Sequence, residues 1–231
     1  MKTAVVFFNL GGPDRPESVR GFLRNLFGDP AILRVPWPIR PLLASFIARR
    51  RAKTAAAIYR EIGGRSPILP ETEKQAAALS GNFADPDIKV FIAMRYWHPM
   101  SAQTVGEVKA WGADRVLLLP LYPQFSTTTT QSSLDAWQAA AQRVGLHVPT
   151  RAVCCYPTEA NFVNAYAGLI KDALSRTEGS PVRVLFSAHG LPERIVASGD
   201  PYVWQVDQGA AAIAAAAGLA DGAWSVSFQS R

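Results

Sequence analysis

Cysteine is nearly missing from this chain: there are two in 231 residues, Cys154 and Cys155, and they are adjacent. Neighbouring cysteines are poorly placed to bridge one another and no third exists, so a disulfide framework is excluded and a reducing cytoplasm is the simplest setting. Histidine is also scarce, at three residues. No stretch reaches the roughly 18 uninterrupted apolar residues that a membrane span needs, and the short apolar run after Lys2 lacks the small-residue cleavage site of a signal peptide. Two familiar motifs are missing as well. The first glycine turn lacks G-x-G-x-x-G spacing, and Pro13 removes an amide that a phosphate would want. No G-x-S-x-G elbow surrounds Ser187, which argues against a serine hydrolase. Acidic residues number 18 against 24 Lys and Arg, a net charge of +6. That balance favours an acidic partner, and nucleic acid, anionic lipid and a small carboxylate all qualify.

What is present is alternation. Short apolar runs at Thr3 to Asn9, Ile88 to Met94, Arg115 to Leu119, His147 to Val153, Val182 to Ser187 and Trp224 to Phe228 read as strands. Between them lie helical patterns from Pro16 to Phe27, Ile39 to Ile62 (closed by Gly63 and Gly64), Pro70 to Leu79, Ser101 to Trp111, Ser133 to Val144, Glu159 to Leu174 and Tyr202 to Ala217. This order predicts an α/β fold with mostly parallel sheets. Four βα repeats precede a break near His147 to Tyr156, so two domains are expected, 1–150 and 151–231. The C-terminal one reads as incomplete, since it ends just after a strand with an apolar face and an edge left uncovered.

Three stretches carry candidate chemistry. The segment Val184-Leu-Phe-Ser-Ala-His189-Gly-Leu-Pro192 sets a histidine at the end of an apolar strand that reads as buried on both faces. Ligands of open α/β sheets sit outside such carboxyl ends, and imidazole both binds metals and takes protons. A lone histidine there is also commonly a hydrogen-bonded structural residue, and the residues alone leave both roles open. From Val35 to Lys53, an apolar lip with Trp37, Leu42, Leu43, Phe46 and Ile47 leads into Arg49, Arg50 and Arg51. Such a surface suits a flat apolar ligand with carboxylates at its rim, an anionic membrane surface, or simply a solvated helix face. Finally, Met94-Arg-Tyr-Trp-His-Pro99 and Pro120-Leu-Tyr-Pro-Gln-Phe-Ser126 set aromatics and hydroxyls just after strands. His98, beside Pro99, reads as structural.

These stretches resemble the ferrochelatases, which insert ferrous iron into a porphyrin to make haem. The likeness rests on Asn9-Leu-Gly-Gly-Pro13, on Phe46-Ile-Ala-Arg-Arg-Arg51 with Tyr59-Arg-x-Ile-Gly-Gly-x-Ser66-Pro-Ile, on the two aromatic turns, on Ser187-Ala-His-x-Leu-Pro192 with Gly199-Asp-Pro-Tyr202, and on Ser227-Phe-Gln-Ser-Arg231, in the family's order. It implies two Rossmann-like, chelatase-type domains, the second incomplete, and a lyase acting on protoporphyrin IX or coproporphyrin III. It makes Leu10 a contact of the macrocycle, Arg50, Arg51, Tyr59 and Ser66 substrate contacts, Tyr122 and Ser126 pocket-lining residues, and His189 the proton acceptor, the metal ligand or both. The family's second, acidic ligand, a glutamate facing the histidine, has no counterpart here, and little activity is expected of residues 1–231 alone. A [2Fe–2S] cluster, found in some ferrochelatases, needs four thiolates, so Cys154 or Cys155 could serve only alongside ligands from elsewhere. The partners implied are porphyrin and ferrous iron, with peripheral membrane contact through the Val35–Lys53 lip and no nucleic acid, in a cytoplasmic protein able to associate with membranes. The alternatives are a related chelatase for another tetrapyrrole or metal and a porphyrin or haem carrier without turnover.

Overall fold

A computed structural model describes residues 1–177 and 181–229. The chain forms two compact units, one of residues 1–122 and 127–153, the other of 123–126 and 154–231.

The first unit is built on strand β1 (Thr3–Asn9), flanked in parallel by β2 (Ile88–Met94) and β3 (Arg115–Pro120), with a short β4 (Thr150–Ala152) beside β3. Central position explains why β1 is an unbroken apolar run. Ala4, Val6 and Phe8 face one side, where α4 (Ser101–Trp111) and α5 (Ser132–Val144) supply Val105, Val108, Trp137 and Ala140. Val5 and Phe7 face the other, against Ala76 and Leu79 of α3 (Ile68–Gly81). Each such buried side chain contributes about 1.5–3 kcal/mol relative to exposure. A separate cluster joins α1 (Val19–Gly28) to α2 (Ile39–Glu61) through Val19, Leu23, Ala48 and Tyr59.

The expected strand over His147 to Val153 shrinks to the three residues of β4, all exposed. It pairs only with β3, so alternating Val148 and Val153 gain no second neighbour that would extend the ladder. The hydroxyl run before α5 forms a π-type turn, Thr127–Gln131, in place of a plain helix start.

The second unit has α6 (Ala160–Leu174), β5 (Val184–His189), the short α7 (Glu193–Ala197), α8 (Tyr202–Ala217) and β6 (Trp224–Gln229), with β5 and β6 parallel. The expectation that the histidine strand is buried on both faces fails: its residues alternate between half-buried and exposed, and Leu185 is 60% exposed. The physical reason is coverage. Helices α6 and α8 line one face around a 470 Å³ cavity, with Phe162, Ile170, Val206 and Ile213 opposite the strand. Among the described residues nothing packs over Leu185 on the other. Ser230 and Arg231, the last two residues of the family-like C-terminal strand motif, lie outside the described residues.

Candidate active site

In the first unit the carboxyl ends of β1, β2 and β3 form one shelf. The backbone amides of Arg95 and Tyr96 donate to the carbonyls of Asn9 and Leu10, each at 2.9 Å, and Leu121 donates to Phe8 at 2.8 Å. The Asn9 carboxamide stiffens the turn by accepting from the Leu10 amide (2.9 Å) and donating to Thr72 Oγ1 (3.1 Å). Gly11 takes φ +76°, and a Cβ there would lie 3.0 Å from Met94 Cβ and 3.1 Å from the Trp97 nitrogen. A Cβ on Gly12 would collide with the Ser66 side chain. The double glycine therefore serves close approach.

That approach brings Leu10 and Ser66 together. The Ser66 amide donates to Pro13 O at 2.8 Å, while its hydroxyl accepts from the Ile68 amide at 3.3 Å. Tyr122 follows β3, its hydroxyl 3.3 Å from Ser133 Oγ, and burial pushes its pKa well above the usual phenol range, with the Ser133 bond and Arg95 opposing in part.

The lip residues sit on α2. Arg50 and Arg51 are exposed, and the Arg51 guanidinium lies 5.8 Å from the Phe27 ring centre. Tyr59 packs into the α1–α2 cluster, and burial raises its pKa. Before the arginines, Trp37 and Leu42 are each 76% exposed and Phe46 is 60% exposed.

Asp29, which sequence reasoning missed, is the polar centre of this unit. Only 4% exposed, its Oδ2 accepts from Arg95 Nη2 (2.7 Å), the Tyr96 hydroxyl (2.8 Å) and the Ser132 hydroxyl. Arg95 Nε adds a bond to Ser132 Oγ at 2.6 Å. Burial and the Asp29 carboxylate raise the Tyr96 pKa far above the ordinary value. Tyr96 was expected at the edge of a pocket; it is instead 1% exposed and committed to Asp29. The only hint was Gly28-Asp29-Pro30 after a helix, which says turn and nothing about partners 66 residues away.

In the second unit His189 is the last residue of β5 and exposed, on the strand face shared with Leu185 and Ser187. Ser126 is 1% exposed, and its hydroxyl donates to Asp200 Oδ2 at 3.0 Å. The other histidines lie in the first unit; His98 stacks edge-on against Trp97 with ring centres 5.2 Å apart.

Cys154 and Cys155 have sulfurs 3.3 Å apart, and Gln205 Nε2 donates to the Cys155 sulfur at 3.4 Å. Two adjacent thiols are half the donor set of a [2Fe–2S] cluster, so these residues do not fit one by themselves. Among the described residues no three His, Cys, Asp or Glu side chains gather around a metal position. No helix among them is long and apolar enough to cross a membrane.

Comparison with known proteins agrees in one direction. The family model described as Ferrochelatase matches residues 2–231. Proteins named ferrochelatase from Caulobacter vibrioides (51% identical over 236 residues), Phenylobacterium zucineum (50% over 237) and Hyphomonas neptunium (50% over 240) each align with 100% of this chain. The chain spans 67%, 68% and 65% of their respective lengths, about two thirds.

Proposed function

The chain belongs to the ferrochelatase family, whose reaction is the insertion of ferrous iron into a porphyrin to give haem, and we propose that His189 is the residue at which this protein performs it. One observation carries the reading: an exposed imidazole ends β5, free of any competing role in the core. Metal insertion requires removal of two pyrrole protons, distortion of a flat ring and delivery of a partly dehydrated metal ion. Imidazole suits the first and last of these, since it accepts protons near neutrality and ligates ferrous iron. The reaction class is that of a lyase.

The substrate divides its needs among the other residues. Its apolar ring calls for Leu10 and the aromatic ring of Tyr59; its propionates call for Arg50 and Arg51, whose planar forks match carboxylates. Ser66, beside the Leu10 turn, offers a polar contact for the ring's periphery. Tyr122 and Ser126 act as backing for the pocket wall, their hydroxyls already engaged with Ser133 and Asp200. Protoporphyrin IX and coproporphyrin III differ in propionate number, so the arginine rim is where they would be told apart.

Absorbance spectroscopy tests the activity directly. Full-length protein mixed anaerobically with porphyrin and ferrous or zinc ions is expected to convert the free-base spectrum into that of the metalloporphyrin, catalytically in protein. A bound ring that never takes up metal would replace the enzyme with a carrier.

The same α2 lip supports a membrane-surface role, because exposed Trp37, Leu42 and Phe46 stand beside a basic run. Sedimentation with phosphatidylserine-containing vesicles is expected to capture the protein in low salt. Leu42→Asp and Phe46→Asp should each weaken capture by about tenfold or more, the effect of losing one buried apolar side chain. Equal capture by neutral vesicles, or by both variants, would remove this role.

A further inference from the structure

We infer that the Gly199–Gln205 stretch opening α8 is a positioning element, in which Asp200 fixes Ser126 and Tyr202 fixes the backbone of His189. The rate consequences rest on the proposed role of His189; the positioning itself does not.

Gly199 takes φ +94°, a left-handed turn that lets the chain leave α7 and enter α8 within a few residues. Asp200 follows and is buried, at 7% exposure. A buried carboxylate is tolerated only where its oxygens are hydrogen-bonded. Here Oδ1 accepts from the Tyr202 amide and Oδ2 from the Ser126 hydroxyl, both at 3.0 Å. One turn on, the buried Gln205 repeats the pattern: its Oε1 accepts from the Phe125 amide at 2.7 Å. Two consecutive residues, Phe125 and Ser126, are thus held by side chains from the start of a single helix.

Tyr202 extends the same grip to the strand. It and His189 line the one cavity of 470 Å³ between β5 and the helices. The Tyr202 phenol also hydrogen-bonds with the His189 backbone, which offsets part of the rise in phenol pKa that burial causes. Seven residues therefore tie together two segments, 125–126 and 189, that are more than sixty positions apart in the chain. A purely architectural role would make these bonds matter for stability alone. A positioning role makes them matter for where the imidazole stands, and a misplacement of about 1 Å can cost on the order of 10²-fold in rate.

The test uses full-length protein with histidine-selective nitrogen-15 labelling, the His189 resonance being assigned by its loss in His189→Ala. In Tyr202→Phe and Asp200→Ala the His189 resonance is expected to shift. The turnover number should fall by about tenfold to 10²-fold, with KM for porphyrin within about twofold. Asp200→Asn, which keeps an acceptor for the Tyr202 amide, should restore most of both signals. If Asp200→Ala does not fold, Tyr202→Phe and Asp200→Asn carry the comparison. An unmoved His189 resonance in the folded variants overturns the inference, as does a rate loss accompanied by an equal rise in KM. If the parent protein inserts no metal, the function proposed above fails, while the resonance still decides the positioning.

Discussion

Full-length protein carrying His189→Ala is expected to insert iron about 10²–10⁴-fold more slowly than the parent, the usual span of general acid–base help. Porphyrin affinity should change little, because the ring and its carboxylates are assigned to Leu10, Tyr59, Arg50 and Arg51 rather than to the imidazole. In kinetic terms the turnover number falls and KM holds, the mark of an interaction made in the transition state. The variant should also remain folded. His189 ends a strand, is exposed, and leaves its Gly190 neighbour bonded to Gln229 O at 2.7 Å whatever side chain it carries. His147→Ala, at an exposed position before β4, is the matching control and should retain parental turnover. Initial rates of metalloporphyrin formation with ferrous and zinc ions, combined with fluorescence quenching by porphyrin, measure both quantities. A His189→Ala rate within about threefold of the parent, well short of any general-base contribution, would sink the assignment.

Asp29→Ala is expected to produce the largest loss of stability in the first unit. Removing one partner of a buried ion pair costs about 3–5 kcal/mol, because the other charge stays buried and unpaired. Arg95 would keep only Ser132, and the Tyr96 hydroxyl, already 1% exposed with its ring, would lose its acceptor. The damage reaches the shelf directly, since the amides of Arg95 and Tyr96 hold the carbonyls of Asn9 and Leu10. Hydrogen exchange at β1 and β2 amides should accelerate by about two to three and a half orders of magnitude, the same free energy expressed as an opening equilibrium. Replacing both charges, as in Asp29→Leu with Arg95→Met, should recover a large part of the loss, as apolar substitution of buried ion pairs commonly does. Exchange rates in Asp29→Ala within about tenfold of the parent would show that the pair is dispensable.

Strands and helices with two-sided burial or clear punctuation were legible from sequence. Thr3–Asn9, Ile88–Met94 and Ser101–Trp111 match their expected bounds, because continuous apolar runs or helical periodicity end at glycine, proline or a capping residue. β5 misled for the same reason: an apolar run says that burial is wanted and not which faces receive it. The short α7 was hidden between Pro192 and Gly199, punctuation that reads as loop. The strand-end positions of Leu10, Tyr122 and His189 could be read from local pattern. Asp29 and the partners of Ser126 could not, because a carboxylate that gathers groups from positions 29, 95, 96 and 132, or from 126 and 202, leaves no local signature.

The strand order of the first sheet also sets a clock. β1 pairs with Ile88 and Arg115 opposite Thr3, partners that follow it by 85 and 112 residues. At about 5–20 residues per second of synthesis, the Val5-Val6-Phe7-Phe8 run leaves the ribosome and waits roughly 4–17 seconds for its first neighbour. For that interval the most apolar strand of the protein is an unpaired edge, and nascent chains stalled before residue 88 should be the ones that chaperones bind most tightly.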